Sequence, residues 1–269
     1  MALLHFKKHK PDIMILEVGL GGRLDAVNML DADVAVITSI GLDHCDWLGN
    51  TRELVAIEKA GIFRGKQKIV CGDPCPPEIL HQMARQLGAE WYCRGEHFDI
   101  QASQPASSLL ADNVATAMMV VKLLPLFVTQ DAVKKGVEQT RLAGRQQILQ
   151  TQPLIIVDVA HNEDSVAHLA DFLKQQKCKK IKAIFSALKT KDVAAMIACI
   201  QPLIDEWHIA PIDYHLAMPI ATLELMLQPF SVHTYADIRS AFDSVLASAQ
   251  KDDCIVAFGS FHVVSCLLT

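Results

Sequence analysis

The residues best able to take part in catalysis or ligand binding lie in the stretch 39–64, SIGLDHCDWLGNTRELVAIEKAGIFR. Asp43, His44 and Asp46 follow directly after an apolar run, and Lys59 comes later, in a segment compatible with a helix. Ligands of open α/β sheets bind beyond the carboxyl ends of the strands. An acid, an imidazole and an amine in this place therefore suit a site that handles metal and phosphate. A solvated loop and a capped helix would explain the same residues without any chemistry.

The elements that must position these residues alternate between apolar runs and helix-like segments, which predicts an α/β fold with a largely parallel sheet. Predicted strands cover 13–18, 33–38, 68–71, 90–99 with a turn, 153–159, 180–186, 206–210 and 253–258. Predicted helices cover 1–10, 77–87, 111–124, 131–140, 165–175, 191–200, 222–227 and 235–250, a helix-compatible run inside 39–64 ends at 58–61, and a polar loop is predicted at 101–108. The break in pattern at 142–145 predicts a domain boundary, with one domain at 1–143 and another at 144–269.

One carboxylate, Glu17, lies inside the apolar run 13–18, which has the composition of a strand buried on both faces. An unpaired buried carboxylate is costly, so Glu17 is expected to have a cation or a hydrogen-bond donor as its partner. The glycine-rich segment 19–25, GLGGRLD, follows at once. Its glycines do not have the G-x-G-x-x-G spacing of a dinucleotide site. They predict a tight turn and a close approach of backbone to a neighbour.

Composition narrows the class of protein. The formal net charge is −5, from 25 Lys and Arg against 30 Asp and Glu, which gives no reason to expect nucleic acid as a partner. No apolar run has the length of a membrane span, and no signal-peptide pattern is present, so a cytoplasmic protein without membrane contact is expected. The eight cysteines are scattered and are interpreted as reduced thiols. The close pair Cys71 and Cys75 has no second pair with zinc-site spacing.

Four sequence blocks carry a family resemblance, and they run in order along nearly the whole chain. They are LEVGLGGRLDAVN at 16–28, LDHCDWLG with EKAGIFR inside 39–64, AGRQQI with IIVDVAHN at 143–162, and GSFH at 259–262. Together they resemble the bifunctional folylpolyglutamate synthase and dihydrofolate synthase family of Mur-ligase-like enzymes. The resemblance implies the rear part of a P-loop-type ATPase domain with a parallel sheet, followed by a smaller Rossmann-like α/β domain.

The activity implied by this resemblance is ATP-dependent addition of L-glutamate to dihydropteroate or a folate, with ATP and Mg²⁺ required. A carboxylate is a poor electrophile, so the family first phosphorylates it to an acyl phosphate, which the amino group of glutamate then attacks. Magnesium and basic side chains offset the negative charge that gathers on the transferring phosphoryl group.

In the first domain, the resemblance makes Glu17 and His44 magnesium ligands. Oxygen ligands suit magnesium best, so a histidine ligand is less typical. Lys59 matches the lysine that is carbamylated in the family, which turns a cation into an anionic group that serves both the metal and catalysis. Without the resemblance, Lys59 would be interpreted as a solvated helix residue paired with an acid such as Glu58.

In the second domain, Arg145 resembles a residue that reaches the nucleotide phosphates. Asp158 resembles the acid that binds ribose, and His161 resembles a phosphate or nucleotide contact with a catalytic role. Two further residues belong to the first domain: Asn113 resembles a residue on the adenine side of the nucleotide, and Asp25 lies where the family approaches the pterin substrate. Each has a structural alternative, since Asp158 and Asn113 would also serve as local turn or helix caps.

The chain departs from the family in one major respect, because its 269 residues contain no glycine-rich phosphate loop of the GxxGKGS kind. A truncated form that is inactive alone is therefore expected. The family is mostly monomeric, but an unpaired apolar strand at 13–18 predicts self-association. The rival hypotheses are a non-catalytic remnant or split subunit that binds nucleotide or folate, and a Mur-type peptidoglycan ligase.

Overall fold

The computed structural model describes residues 2–101 and 109–268, and the chain divides into two compact units. The first unit is built from the chain up to residue 101 and from Leu110–Val133, and the second begins at Lys134. This division precedes the predicted domain boundary at 143/144, which stays a prediction. The loop predicted at 101–108 lies outside the described residues except for residue 101.

Within its described residues, the first unit contains a three-stranded parallel sheet in the order β1-β2-β3. Its strands are β1 Val34–Ile37, β2 Lys68–Cys71 and β3 Glu90–Cys93. Its helices are α1 Ala2–His9, the 3₁₀ helix Ala26–Met29, α2 Cys45–Leu48, α3 Arg52–Ala60, α4 Glu78–Gln86 and α5 Ala111–Leu123. Helices α3 and α4 cover the sheet, with Val55, Ala60 and Leu80 packed into a core around Ile69 and Cys71.

The predicted strand at 13–18 is wrong. In the described residues, this segment pairs with no strand, and the edge strand β1 pairs only with β2. Without a ladder partner its apolar side chains are not buried in a core, and Ile15 is 89% exposed. Glu17 is exposed as well, so water solvates its carboxylate and the expected buried partner is not needed.

The second unit contains, in its described residues, a six-stranded sheet in the order β4-β5-β9-β6-β7-β8, and every pair is parallel except β4 with β5. Its strands are β4 Gln147–Thr151, β5 Leu154–Val157, β6 Ile181–Phe185, β7 Glu206–Ile209, β8 Val232–Thr234 and β9 Cys254–Phe258. Its helices are α7 Glu163–Lys174, α8 Val193–Ile200, the 3₁₀ helix Gln201–Leu203, α9 Ile220–Met226, α10 Ile238–Ser248 and α11 Phe261–Leu268, while α6 Gln130–Gln139 spans the division.

Helices cover both faces of this sheet. Helices α7, α8 and α9 share a core with Phe185, Trp207 and Phe258 on one face, and the Phe185 and Phe258 ring centroids are 4.9 Å apart. Helices α10 and α11 pack on the opposite face against Ile184 and Ile255. The sheet of the first unit and this two-faced sheet confirm the predicted α/β class, including the Rossmann-like second domain. None of the helices in 2–101 and 109–268 is both long and apolar enough to cross a membrane.

Two strands and one α-helix of the second unit were not predicted, and each lacks the pattern that reveals its type. Strand β4 is mostly exposed and polar on an antiparallel edge, so it shows no buried apolar run. Strand β8 has only three residues. Helix α11 is almost uniformly apolar, with Val263, Val264 and Leu267 buried, so it has no polar face to mark a helical period.

A buried polar cluster lies under α10, around His208. The side chain is 4% exposed, its Nδ1 is 3.0 Å from the Tyr235 hydroxyl, and its ring stacks on His233 at 5.0 Å. Its Nε2 is 3.7 Å from Oε2 of Glu206, which also pairs with Lys182 at 3.4 Å. Burial, together with the nearby His233 ring, lowers the pKa of His208 to about 4.

This cluster predicts acid sensitivity of the second unit. The unfolded chain takes up a proton on His208 near its ordinary pKa, but the folded chain does so only near pH 4, so the stability present above about pH 6.5 is lost as the pH falls towards 4. The expected loss is roughly 2–3 kcal/mol. Hydrogen exchange of the β6 and β7 amides between neutral pH and pH 4 measures it. His208→Gln should flatten the dependence, and His168→Gln, at an exposed position, should leave it unchanged. A His208 ring that titrates like a free histidine by NMR would contradict this account.

Candidate functional site

The carboxyl edge of the second sheet has an opening at β5 and β9. These strands are neighbours, but α7, which follows β5, packs on one face of the sheet, and α11, which follows β9, packs on the other. The connections therefore diverge, and ligands of open α/β sheets bind where this happens. The segments that follow the two strands are 158–162 and 259–262. The first contains the candidate site residues Asp158 and His161, and the second is the GSFH block of the sequence.

Asp158 closes the end of β5 with its side chain. Its carboxylate is only 5% exposed, and it accepts hydrogen bonds from the backbone N–H of Gln146 at 2.8 Å and of Ala160 at 2.7 Å. Burial raises the pKa of Asp158, while the two backbone donors and the positive charge of Arg145 act in the opposite direction. The local capping alternative therefore describes real contacts of Asp158, and its role as a ribose ligand stays a prediction.

The turn held by Asp158 has an unusual backbone. Gly144 and Gln146 both have positive φ, of +68° and +43°. A Cβ at Gly144 would lie 2.9 Å from Cγ1 of Val159 and 3.0 Å from Cγ1 of Val264, so only glycine fits there. The carbonyl of Gly144 accepts a 2.8 Å hydrogen bond from the Val159 N–H. The turn thus places Arg145, which is exposed, close enough to Asp158 to influence its pKa.

His161 is oriented by its own backbone surroundings. Its Nδ1 lies 2.8 Å from the carbonyl oxygen of Val159. A carbonyl only accepts, so Nδ1 carries the hydrogen and Nε2 has the lone pair when the ring is neutral. The ring also lies 6.0 Å from the ring of Phe261, which follows β9. Asn162 then caps α7 by accepting a 3.0 Å hydrogen bond from the N–H of Ser165.

Gly259 joins the ends of three strands. Its N–H donates to the carbonyl of Ala160 at 2.9 Å, and a Cβ on it would lie 2.3 Å from the carbonyl oxygen of Ser186 at the end of β6. Its φ of +109° also favours glycine. The structure therefore brings Arg145, Asp158 and His161 to one edge of the sheet. The GSFH segment lies at the same edge.

In the first unit, the glycine-rich segment docks on the last turn of α3. Arg23 donates to the Glu58 carboxylate at 3.0 Å, and its own N–H donates to the Glu58 carbonyl at 2.9 Å. A Cβ at Gly22 would lie 2.9 Å from the same carbonyl, and one at Gly61 would lie 2.3 Å from Cβ of Arg23. This is the close backbone approach that the glycines predict. Glu58 pairs with Arg23, and the acid whose charge acts on Lys59 is Asp43 instead.

Lys59 is half-buried next to this docked segment. Burial lowers the pKa of Lys59, and the charge of Asp43 partly opposes that shift. His44 has a left-handed backbone and donates its N–H to Oδ1 of Asp43 at 2.8 Å. Asp43, which the sequence places in the polar cluster but to which the resemblance gives no role, is therefore close to both. Within 2–101, no hydrogen bond or ion pair joins the side chains of Glu17, His44 and Lys59, and their convergence on one metal stays a prediction.

A ready-made metal centre is absent from the described residues. No group of three or more His, Cys, Asp or Glu side chains in 2–101 and 109–268 is arranged to hold an ion. The predicted magnesium set includes Lys59, whose unmodified side chain is an amine with no anionic oxygen. The donors present therefore do not fit Mg²⁺ in their unmodified form.

Asp25 and Asn113 differ in what their side chains contact. Asp25 binds backbone N–H groups of its own loop, whereas Asn113 is exposed on its helix. The Asp25 carboxylate accepts from the N–H groups of Val27 and Gly19, both at 2.9 Å, and of Leu20 at 3.3 Å. These bonds, with that of Val27 the largest, lower the pKa of Asp25 and close the glycine-rich loop. Asn113 is exposed within α5, which begins after Leu110 without a side-chain cap. Asn113 does not cap its helix, and the substrate and adenine roles of the two residues stay predictions.

Comparison with known proteins assigns both units. The sequence family "Mur ligase middle domain" matches residues 1–87, and "Mur ligase, glutamate ligase domain" matches residues 144–261. The chain is 35% identical to a dihydrofolate synthase/folylpolyglutamate synthase of Escherichia coli over 98% of this chain and 66% of that protein. It is 33% identical to the protein of the same description from Haemophilus influenzae, over 98% of this chain and 70% of the relative.

Solved structures give the same result for the fold. The E. coli FolC structure in complex with DHPP and ADP superposes with a TM-score of 0.95 at 34% identity, covering 99% of this chain and 68% of that one. A bifunctional folylpolyglutamate synthase/dihydrofolate synthase structure with Mn, AMPPNP and L-glutamate bound gives 0.93 at 36% identity, with 99% and 68% covered. The chain thus spans about two thirds of the length of these relatives.

The Asp158 clamp predicts a specific stability defect. In Asp158→Asn one of the two acceptor oxygens becomes an NH₂ group, so either Gln146 or Ala160 loses its acceptor in a buried place. The expected cost is about 1–3 kcal/mol of unfolding free energy, with faster exchange of one of the two amides. Urea denaturation and amide hydrogen exchange measure both effects. Asp164→Asn, at an exposed position in the first turn of α7, is the matched control. Equal stability and protection in the two variants would contradict the clamp.

Proposed function

This chain belongs to the dihydrofolate synthase/folylpolyglutamate synthase family of Mur ligases, and on that premise we propose that it serves ATP-dependent ligation of L-glutamate to dihydropteroate or a folate in the cytoplasm. The substrate carboxylate takes the γ-phosphoryl group of ATP and becomes an acyl phosphate. The glutamate amino group then forms the amide bond, phosphate leaves, and the amine loses its proton. Relatives described with DHPP and ADP, and with AMPPNP and L-glutamate, support these substrate classes.

The observation that carries the proposal is the cluster of Arg145, Asp158 and His161 at the carboxyl edge of β5. Each oxygen of the Asp158 carboxylate accepts one backbone hydrogen bond, and a carboxylate has about four lone-pair sites. Lone pairs therefore remain for the hydroxyl groups of a ribose. Arg145 is exposed beside this carboxylate, and its guanidinium suits phosphate oxygens, which it binds in a bidentate manner.

His161 would act through its Nε2 atom, because Nδ1 is committed to the Val159 carbonyl. In the neutral ring, Nε2 accepts a proton, as the attacking amine requires when the amide bond forms. In the protonated ring, Nε2 donates to a phosphate oxygen. The fixed orientation of the ring is compatible with both contacts, and the proposal assigns His161 to the edge where nucleotide and acyl phosphate meet.

In the first unit, the residues that would bind a divalent metal are Glu17, His44 and Lys59. Because unmodified Lys59 is an amine, the set becomes a suitable magnesium site only if Lys59 carries a carbamate, whose oxygens are hard anionic ligands. The lowered pKa of Lys59 favours the neutral amine that reacts with carbon dioxide. A relative described with Mn and AMPPNP supports a divalent ion with nucleotide.

The remaining assignments are Asp25 on the substrate side and Asn113 on the adenine side. Asp25 already binds three backbone N–H groups, so its contribution to substrate binding would come through the shape of the glycine-rich loop. Asn113 is exposed, and its amide is able to offer both a donor and an acceptor to a base. The folate synthases among the relatives favour this branch over a peptidoglycan ligase.

Charge reversal at Arg145 tests the nucleotide assignment. Arg145→Glu should weaken ADP binding by about tenfold or more, because a hydrogen bond to a charged group contributes roughly 1.5–3 kcal/mol and the new carboxylate repels phosphate. Isothermal titration of the chain with ADP and Mn²⁺ measures the Kd. Arg141→Glu, also exposed and four positions earlier, is the control that changes net charge equally. An unchanged Kd in Arg145→Glu, or no ADP binding to the wild-type chain, would refute the assignment.

A second test concerns the non-catalytic alternative. Phosphoryl transfer depends on positioning and electrostatic stabilisation, and no glycine-rich phosphate loop occurs in these 269 residues. We propose that the 269-residue polypeptide does not ligate by itself and that its exposed apolar segment 13–18 promotes self-association. The assay is phosphate release that depends on ATP, glutamate and dihydropteroate, with the E. coli relative as control and light scattering for mass. Turnover near the control rate from a monomer would contradict this proposal.

A further inference from the structure

A pair of histidines lies on α1, outside every candidate site residue. His5 and His9 are one helical turn apart, so they share one face of the helix. Their ring centroids are 4.2 Å apart, with the ring planes tilted by 33°. Both side chains are exposed, so neither is a core histidine placed by packing.

We propose that His5 and His9 form a two-imidazole chelate for a borderline divalent transition-metal ion, of which Zn²⁺, Ni²⁺ and Cu²⁺ are the class. Imidazole nitrogen suits these ions, whereas Mg²⁺ and Ca²⁺ prefer oxygen. One bound imidazole holds the second within reach of the same ion, which raises its effective concentration. Water completes the coordination, so the ion is exchangeable and keeps open positions.

The charges around the pair are compatible with this assignment. Lys7, Lys8 and Lys10 repel a cation, but they are exposed, and water and salt screen their charge. A dative bond from imidazole outweighs such screened repulsion for a transition metal, and it does not do so for Mg²⁺. The stacked pair of His208 and His233 is excluded as a chelate because His208 is buried and its Nδ1 is taken by Tyr235.

Metal binding would also change the helix itself. Helix α1 has only eight residues, and helices of this length are marginal without support. An ion that joins positions 5 and 9 closes one turn, so it binds the helical state and stabilises it by linkage. Slower amide exchange within α1 is therefore a second signature, independent of any ligase activity.

The experiment is calorimetric titration of the full chain with Zn²⁺ near neutral pH, followed by exchange of the hydrogen-bonded amides of residues 6–10 with and without the ion. His5→Gln and His9→Gln should each weaken Zn²⁺ binding by about tenfold or more and abolish the protection of α1. Glutamine is a good helix former, so both variants keep the helix. His168→Gln, an exposed histidine on α7, should behave as wild type.

Two results would overturn the site. One is equal Zn²⁺ affinity in the wild type, His5→Gln and His9→Gln. The other is Zn²⁺ binding that leaves α1 exchange unchanged and disappears in His44→Gln, which would place the ion at the candidate metal residues of the first unit. A Cu²⁺ titration followed by paramagnetic broadening gives the location directly, and broadening centred on His5 and His9 supports the chelate.

Discussion

The buried carboxylate of Asp158 is the interaction on which the candidate site of the second unit depends. It is satisfied by two backbone N–H groups, those of Gln146 and Ala160. One lies in the turn before β4 and the other in the segment after β5, so a single side chain fixes both. Gly144 then fits this turn between Val159 and Val264 of α11. The positions of Arg145 and His161 follow from this clamp, because both residues are next to the backbone that it holds.

In the first unit, an arginine instead of a carboxylate fixes the backbone around the candidate site residues. The 3₁₀ helix that follows its glycine-rich segment is held on the turn after α3 by Arg64, whose guanidinium donates to the carbonyl and side-chain oxygens of Asn28 at 2.8 and 2.9 Å and to the Gly61 carbonyl at 3.3 Å. Asn28 in turn donates to Gly61 at 3.0 Å. The planar fork of arginine matches several acceptors at once, which a lysine would not do. Lys59 lies two positions before Gly61, so the docked segment is fixed against the residue proposed for carbamylation.

The sequence predicts the buried parallel strands well, because short continuous apolar runs such as those of β2, β5 and β9 are typical of strands covered on both faces. It fails at 13–18, where the same pattern meets no ladder partner, and at α11, where apolar residues such as Phe261 also lie on the exposed side and obscure the helical period. Among site residues, Asp158 is visible as an acid at a strand end. Gln146 is not, because nothing in its residue type predicts a left-handed backbone or a hydrogen bond to a distant carboxylate. Asp43 was seen as a cluster member, but its closeness to Lys59 depends on tertiary packing.

The central claim is that nucleotide binds at the carboxyl edge of β5 and β9. Backbone amide NMR of the chain, titrated with ADP to saturation, tests it most directly. The chemical shift of each backbone N–H at this edge responds to a ligand bound beside it. The account predicts shifts of the Gln146, Ala160, His161 and Gly259 amides, with none in β8 at the far edge of the sheet. Shifts in the second unit that leave these four amides unchanged and instead cluster around β7 and β8 would contradict it.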